Sequence, residues 1–176
     1  MFYARFGLCL TGLLLTTALS AQDPLQTLGK SARDTKQSAT IVGQLLGRKD
    51  LSVTDVLSAM KSQDEIAKNY YLSVAQAVAD RNPQQAVAQC KQFIERLDQD
   101  PTGRYWAFSY VTTYEPAIRE KLLESMIDDP SQELRYEAVE LRLKRLESDA
   151  AASAETKEAE YAKLLQAARL PEHVQA

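Results

Sequence analysis

Between Asp128 and Leu146 the chain reads DDPSQELRYEAVELRLKRL, and this stretch constrains the fold more than any other. Asp128 and Asp129 close one segment, Pro130 and Ser131 open the next, and Glu133 falls in its first turn. An acidic cap, a proline at the first helical position and a carboxylate at the positive end of the helix dipole are helix start signals. Leu134, Ala138, Leu141 and Leu146 then recur at near-helical spacing with charged residues between them. The stretch predicts an amphipathic helix with a sharply defined beginning.

The pattern has an echo upstream. Asp100-Pro101 heads Arg104-Tyr105-Trp106-Ala107, as Asp129-Pro130 heads Arg135-Tyr136-Glu137-Ala138. The Arg-Tyr-x-Ala strings are offset by 31 residues and the Asp-Pro pairs by 29. Each follows an amphipathic segment, one ending near Leu97 and the other near Ile127. Successive helix–turn–helix units predict an α-solenoid, in which every unit buries its apolar face against its neighbours.

The spacing Asp129-Pro130-x-x-x-Leu134-Arg135-x-x-Ala138-Val139 resembles the HEAT repeat, in particular the short variety called the phycobilisome-lyase-type HEAT-like repeat. The resemblance is good over 117–147, weaker over 84–113, where Arg104 stands early relative to Asp100, and pattern-level over 52–81. It implies that Asp129 and Arg135 bond between successive units and that the alanines let paired helices approach closely. More loosely, 52–176 is similar to helical modules that open large secreted bacterial proteins ahead of thioredoxin-like or β-rich domains.

Further helices are predicted from start signals and apolar stripes. They cover Ser52–Met60, Asp64–Ala79 (face Ile66, Tyr70, Val74, Val78), Pro83–Leu97 (Ala86, Cys90, Phe93, Ile94, Leu97), Gly103–Thr113 and Ala117–Ile127. A long helix runs through to Leu170, and Ser148–Thr156 is either a loop or the start of that helix. No stretch alternates as a strand must, so the fold class is all-α. Residues 22–50 are rich in Gln, Ser, Thr, Gly and Lys. They read as a flexible lead-in with one short helix over Ser38–Leu46 capped by Gly47, ahead of a HEAT-like domain over 51–176.

Residues 1–21 have the pattern of a cleaved signal peptide. Arg5 supplies the positive n-region, Phe6–Leu15 the apolar core, and Thr16–Ala21 the small residues for a cut after Ser20 or Ala21. The apolar run is short for a membrane span. The expected location is therefore exported, periplasmic or extracellular, with no membrane attachment after cleavage; an uncleaved signal anchor is the alternative. Loss of Arg5 takes the formal charge from −3 to −4. Interleaved charges and a mild acidic balance argue against a nucleic-acid partner. Removal of Cys9 with the signal leaves Cys90 as the one thiol, read as a buried apolar residue, with an intermolecular or mixed disulfide as the sharper reading.

Chemistry-bearing motifs are sparse. His173 is the only His, close to the C-terminus, and no Cys-x-x-Cys, Gly-rich phosphate loop or His-Glu-x-x-His string occurs. Asp128 with Asp129, and Asp98 with Asp100, are carboxylate pairs that helix caps explain without catalysis. No enzyme activity, cofactor or metal is expected. The aromatic run Tyr105, Trp106, Phe108, Tyr110, Tyr114 offers a surface, because superposing the two strings lays Trp106 on the solvent position of Glu137; the alternative is that Trp106 packs under a neighbouring helix or the N-terminal segment. The expected partner-binding face is Tyr105, Trp106, Ser109, Tyr136, Glu137 and Glu140, with an unidentified protein as partner. The expected function is protein–protein interaction or scaffolding. The alternative is an N-terminal accessory domain of a larger secreted redox or carbohydrate-active enzyme, and a weaker third reading is a thiol-dependent activity of Cys90.

Overall fold

The computed structural model describes residues 23–167. They form α1 (Pro24–Ser31), α2 (Thr35–Gly47), α3 (Val53–Ser58), α4 (Glu65–Ala79), α5 (Pro83–Ile94), α6 (Pro101–Tyr114), a 3-10 turn (Pro116–Ile118), α7 (Arg119–Leu123), α8 (Gln132–Ser148) and α9 (Ala154–Ala167). No strand occurs among the described residues, so the fold is all-α. The export signal expected at 1–21 and His173 lie outside the described residues.

The helix starts follow from short polar side chains. Asp23, Asp34, Ser52, Asp64, Asn82, Asp100 and Ser131 each accept a first-turn backbone N–H. These groups would otherwise be orphaned, and each such cap stabilises its helix by roughly 0.5–2 kcal/mol. Proline stands first in α1, α5 and α6, where its missing N–H costs nothing.

Helices pack in chain order: α1 on α2, α3 on α4, α5 on α6, α7 on α8, and α9 on α8. Between those pairs, α1 and α2 touch α4, α3 touches α5 and α6, and α6 touches α8. One core runs from Leu25 through Tyr71, Phe93 and Phe108 to Ala138. A separate small cluster of Val139, Leu143, Leu164 and Ala167 joins α8 to α9.

Several expectations need correction. Of the expected loose lead-in at 22–50, the described part from Asp23 onward is folded into the domain. Leu25 and Leu28 on α1, with Ile41 and Leu45 on α2, are buried in the main core. The Tyr71 hydroxyl also donates to the Leu25 carbonyl (2.5 Å) and accepts from Gly29 N (3.1 Å), pinning α1 to α4. Burying each such leucine is worth roughly 1.5–3 kcal/mol, which a count of polar residues conceals. Gly47 is the last residue of α2, and the C-cap is Arg48 in an extended conformation.

On α4 the expected Val74 and Val78 are buried, but in the first half of the helix Ala67 and Tyr71 hold the core positions instead of Ile66 and Tyr70, and Ile66 is 46% exposed. Leu97 lies beyond the end of α5 and is 61% exposed. Residues 117–127 are not one helix. Tight i→i+3 bonds (Ile118 N to Glu115 O, Ser125 N to Leu122 O, Met126 N to Leu123 O) shorten both ends and leave the five-residue α7. Pro130 stands outside α8, whose cap is Ser131. The link between α8 and α9 spans 149–153.

Candidate functional site

The expected interaction face spans α6 and α8, and the structure joins part of it directly. The Tyr105 hydroxyl donates to Glu137 Oε1 (3.1 Å), and Arg119 at the start of α7 donates to Glu137 Oε2 (2.8 Å). One carboxylate therefore holds three helices in register. Burial, and then the Glu137 charge, raise the Tyr105 phenol above its ordinary value, and the Ser109 hydroxyl beside it works the other way. On α8, Glu140 pairs with Lys144 (2.6 Å), and Tyr136 is 37% exposed one turn before it.

Trp106 is half-buried. Its indole stacks on Tyr110, with ring centroids 5.2 Å apart and planes 22° apart, and Tyr110 in turn meets Tyr114 at 4.9 Å. Trp106 and Tyr105 also pack against the main core. The indole thus sits at the border of core and surface, with one face occupied by Tyr110. Arg119 belongs to this face and was missing from the sequence reading. Its only signal was a basic residue at the start of a short helix, which carries no long-range information.

The turn residues Asp129 and Arg135 do not pair with each other through their side chains. Arg104 takes the expected role of Arg135: its Nη1 binds Asp129 Oδ1 (2.5 Å), while its Nε and Nη2 donate to the Ile94 carbonyl (3.1 and 2.7 Å). The side chains of this ion pair are 1% and 2% exposed. Ser131 N donates to the same Asp129 oxygen (2.8 Å), whereas Arg135 reaches only the Asp129 carbonyl (2.5 Å). The physical reason lies in which corner each guanidinium can reach. Arg104 and Arg135 are each the fourth residue of their helix, but Arg135 turns back to the backbone of its own corner while Arg104 reaches forward to the corner ahead of α8. Lys68, the fourth residue of α4, likewise reaches Asp100 at the head of α6 (3.1 Å).

Behind that ion pair lies a groove of about 660 Å³ that the sequence reading did not foresee. Ile94 and Leu97 line its α5 side; Ile118, Leu122 and Met126 line its α7 side; Arg104 and Asp129 lie at its base. It lies between the C-terminal end of α5 and the segment formed by the 3-10 turn and α7. Elsewhere, burial pushes the Cys90 thiol up to about 12, and the side chain is fully buried. A thiolate nucleophile is therefore disfavoured there. Among the described residues no group of His, Cys, Asp or Glu is placed to hold a metal ion, and no helix is long and apolar enough to cross a membrane.

No family model matches the chain, and no curated protein or solved structure is significantly similar to it.

Proposed function

We propose that this chain is an exported helical-repeat module that binds a protein partner or spaces other parts, without catalysis of its own. The observation that carries the reading is the Tyr105–Glu137–Arg119 network. It fixes half-exposed aromatic and acidic side chains across three successive helices, and interfaces favour such pre-ordered aromatic anchors. The recurrent cation at the fourth helical position in α4, α6 and α8 supports reading the helix pairs as stacked solenoid units. The charged n-region and apolar core of residues 1–21 support export.

The test is affinity capture from the native cells with wild-type chain and Trp106→Ala, partners identified by mass spectrometry. The expected result is one partner recovered in stoichiometric amount by wild type and lost with Trp106→Ala, both proteins having the same far-UV circular dichroism. Equal recovery by both variants sinks the Trp106 face. N-terminal sequencing of the same native product checks export, with Ala21 or Gln22 expected as the first residue.

A further inference from the structure

We propose that the groove between α5 and α7 is a second docking site, one that receives an amphipathic α-helix of a protein partner bearing a basic residue on one edge and an acidic residue on the other. The inference rests on the reading of the chain as a binding module and adds to it the kind of partner segment.

The groove has the shape and lining for that occupant. Ile94, Leu97, Ile118, Leu122 and Met126 give it an apolar strip between charged edges, and a helix laid into a groove is anchored by apolar side chains at i, i+3 or i+4, and i+7. Leu97 is 61% exposed on one wall, an apolar side chain without a cover. The base does not yield, because Arg104 and Asp129 are locked to each other and to the Ile94 carbonyl. A preformed base spares the partner the cost of ordering it.

Charge selects the occupant. Glu95 on the α5 wall and Lys121 on the α7 wall line the groove, and among the described residues neither makes an ion pair. The other charges there are already matched: Lys91 by Glu115 (2.7 Å) and Arg104 by Asp129. The groove therefore shows one free charge of each sign, on opposite walls, around an apolar centre. A small anion or a nucleic acid strand would gain at Lys121 what it loses at Glu95. A helix with one charged edge of each sign gains at both, and such complementarity sets specificity more than raw affinity.

The experiment titrates the full chain with three fluorescein-labelled, lactam-stapled helices. All carry leucine at i, i+3 and i+7; their edges are lysine/glutamate, lysine/lysine or glutamate/glutamate. Fluorescence anisotropy is expected to show the mixed-edge helix binding at least about tenfold tighter than either sister, a gap of roughly 1.4 kcal/mol. Leu97→Asp, at a side chain too exposed to carry the fold, is expected to weaken that binding by a similar factor with unchanged circular dichroism. Glu95→Lys is expected to transfer the preference to the glutamate/glutamate helix. Equal binding of all three peptides, best binding of a single-sign peptide to wild type, or indifference to Leu97→Asp each overturns the proposal. Trp106-dependent capture is measured separately, so its survival alongside a silent groove condemns only the groove.

Discussion

The two Asp-Pro corners share a dipeptide and each receives a cation from an earlier helix, yet they differ in which residue caps the helix that follows. At the first, Asp100 is the N-cap of α6: its Oδ1 accepts from Thr102 N and Gly103 N, and Pro101 begins the helix. At the second, Pro130 stands outside the helix, Ser131 is the cap, and Asp129 is released from capping to pair with a buried arginine. The same difference explains the mismatched offsets. The caps Asp100 and Ser131 lie 31 residues apart, as do Arg104 and Arg135, so the Arg-Tyr-x-Ala strings are in helical register while the Asp-Pro pairs are shifted within it. A dipeptide marks where a chain turns; which residue caps and which one pairs is decided by what packs over the turn.

The comparison can be broken most severely at Asp129. Asp129→Ala leaves the Arg104 guanidinium buried without its carboxylate, and the expected loss is about 3–5 kcal/mol in urea denaturation. Pairing Arg104→Met with Asp129→Leu is expected to recover most of that loss, since apolar replacement of both partners removes the stranded charge. A cost below about 1 kcal/mol for Asp129→Ala alone would mean that the pair does not hold the α6–α8 junction.

Asp100→Ala should cost less, about 0.5–2 kcal/mol for the lost cap, with a further contribution from Lys68, whose side chain is 14% exposed. The weakest of the three links is Arg33 to Asp64, at 3.2 Å with side chains 78% and 48% exposed. A double-mutant cycle there is expected to give about 0.2–1 kcal/mol at low salt and to fade as salt is added. A reversal of this order would show that burial does not grade the links.

Cys90 supplies a readout for the whole series. Its thiol is held neutral by burial, so iodoacetamide near pH 8 should label it only on unfolding, and labelling rates should rank the variants as denaturation does. The sign of its pH effect is fixed too. With the folded value raised to about 12, the stabilisation is whole below the ordinary thiol value of 9.0 and is lost as pH climbs through 12. Cys90→Ala should flatten that alkaline decline in a thermal melt.

Local signals in the sequence carried far. The helical class, the caps at Asp64, Asn82 and Asp100, and the burial of Cys90 all follow from residues close together in the chain. The misreadings share a cause: each depended on a distant partner. Leu25 and Leu28 look sparse among polar neighbours until Tyr71 is seen binding the backbone of α1. Leu97 has the spacing of a core residue, but α5 ends before it. Arg104 enters the sequence pattern only as an echo of Arg135, and only the return of Asp129 from 25 residues downstream makes its burial tolerable. The echoed strings singled out Tyr105 and Glu137, which the structure joins by a hydrogen bond, whereas the Arg119 bond to Glu137 and the α5–α7 groove depend on how distant helices come together, which no local pattern encodes.

The attachment of α9 has a consequence for how the molecule comes apart. This helix leans on its own cluster of Val139, Leu143, Leu164 and Ala167, separate from the core shared by everything upstream. Its opening is therefore expected as an independent, low-energy event, with amide exchange across 154–167 faster than across α4 and insensitive to Asp129→Ala. Each such opening strips the cover from Val139 and Leu143, so mild warming should produce concentration-dependent association well before the cooperative melt.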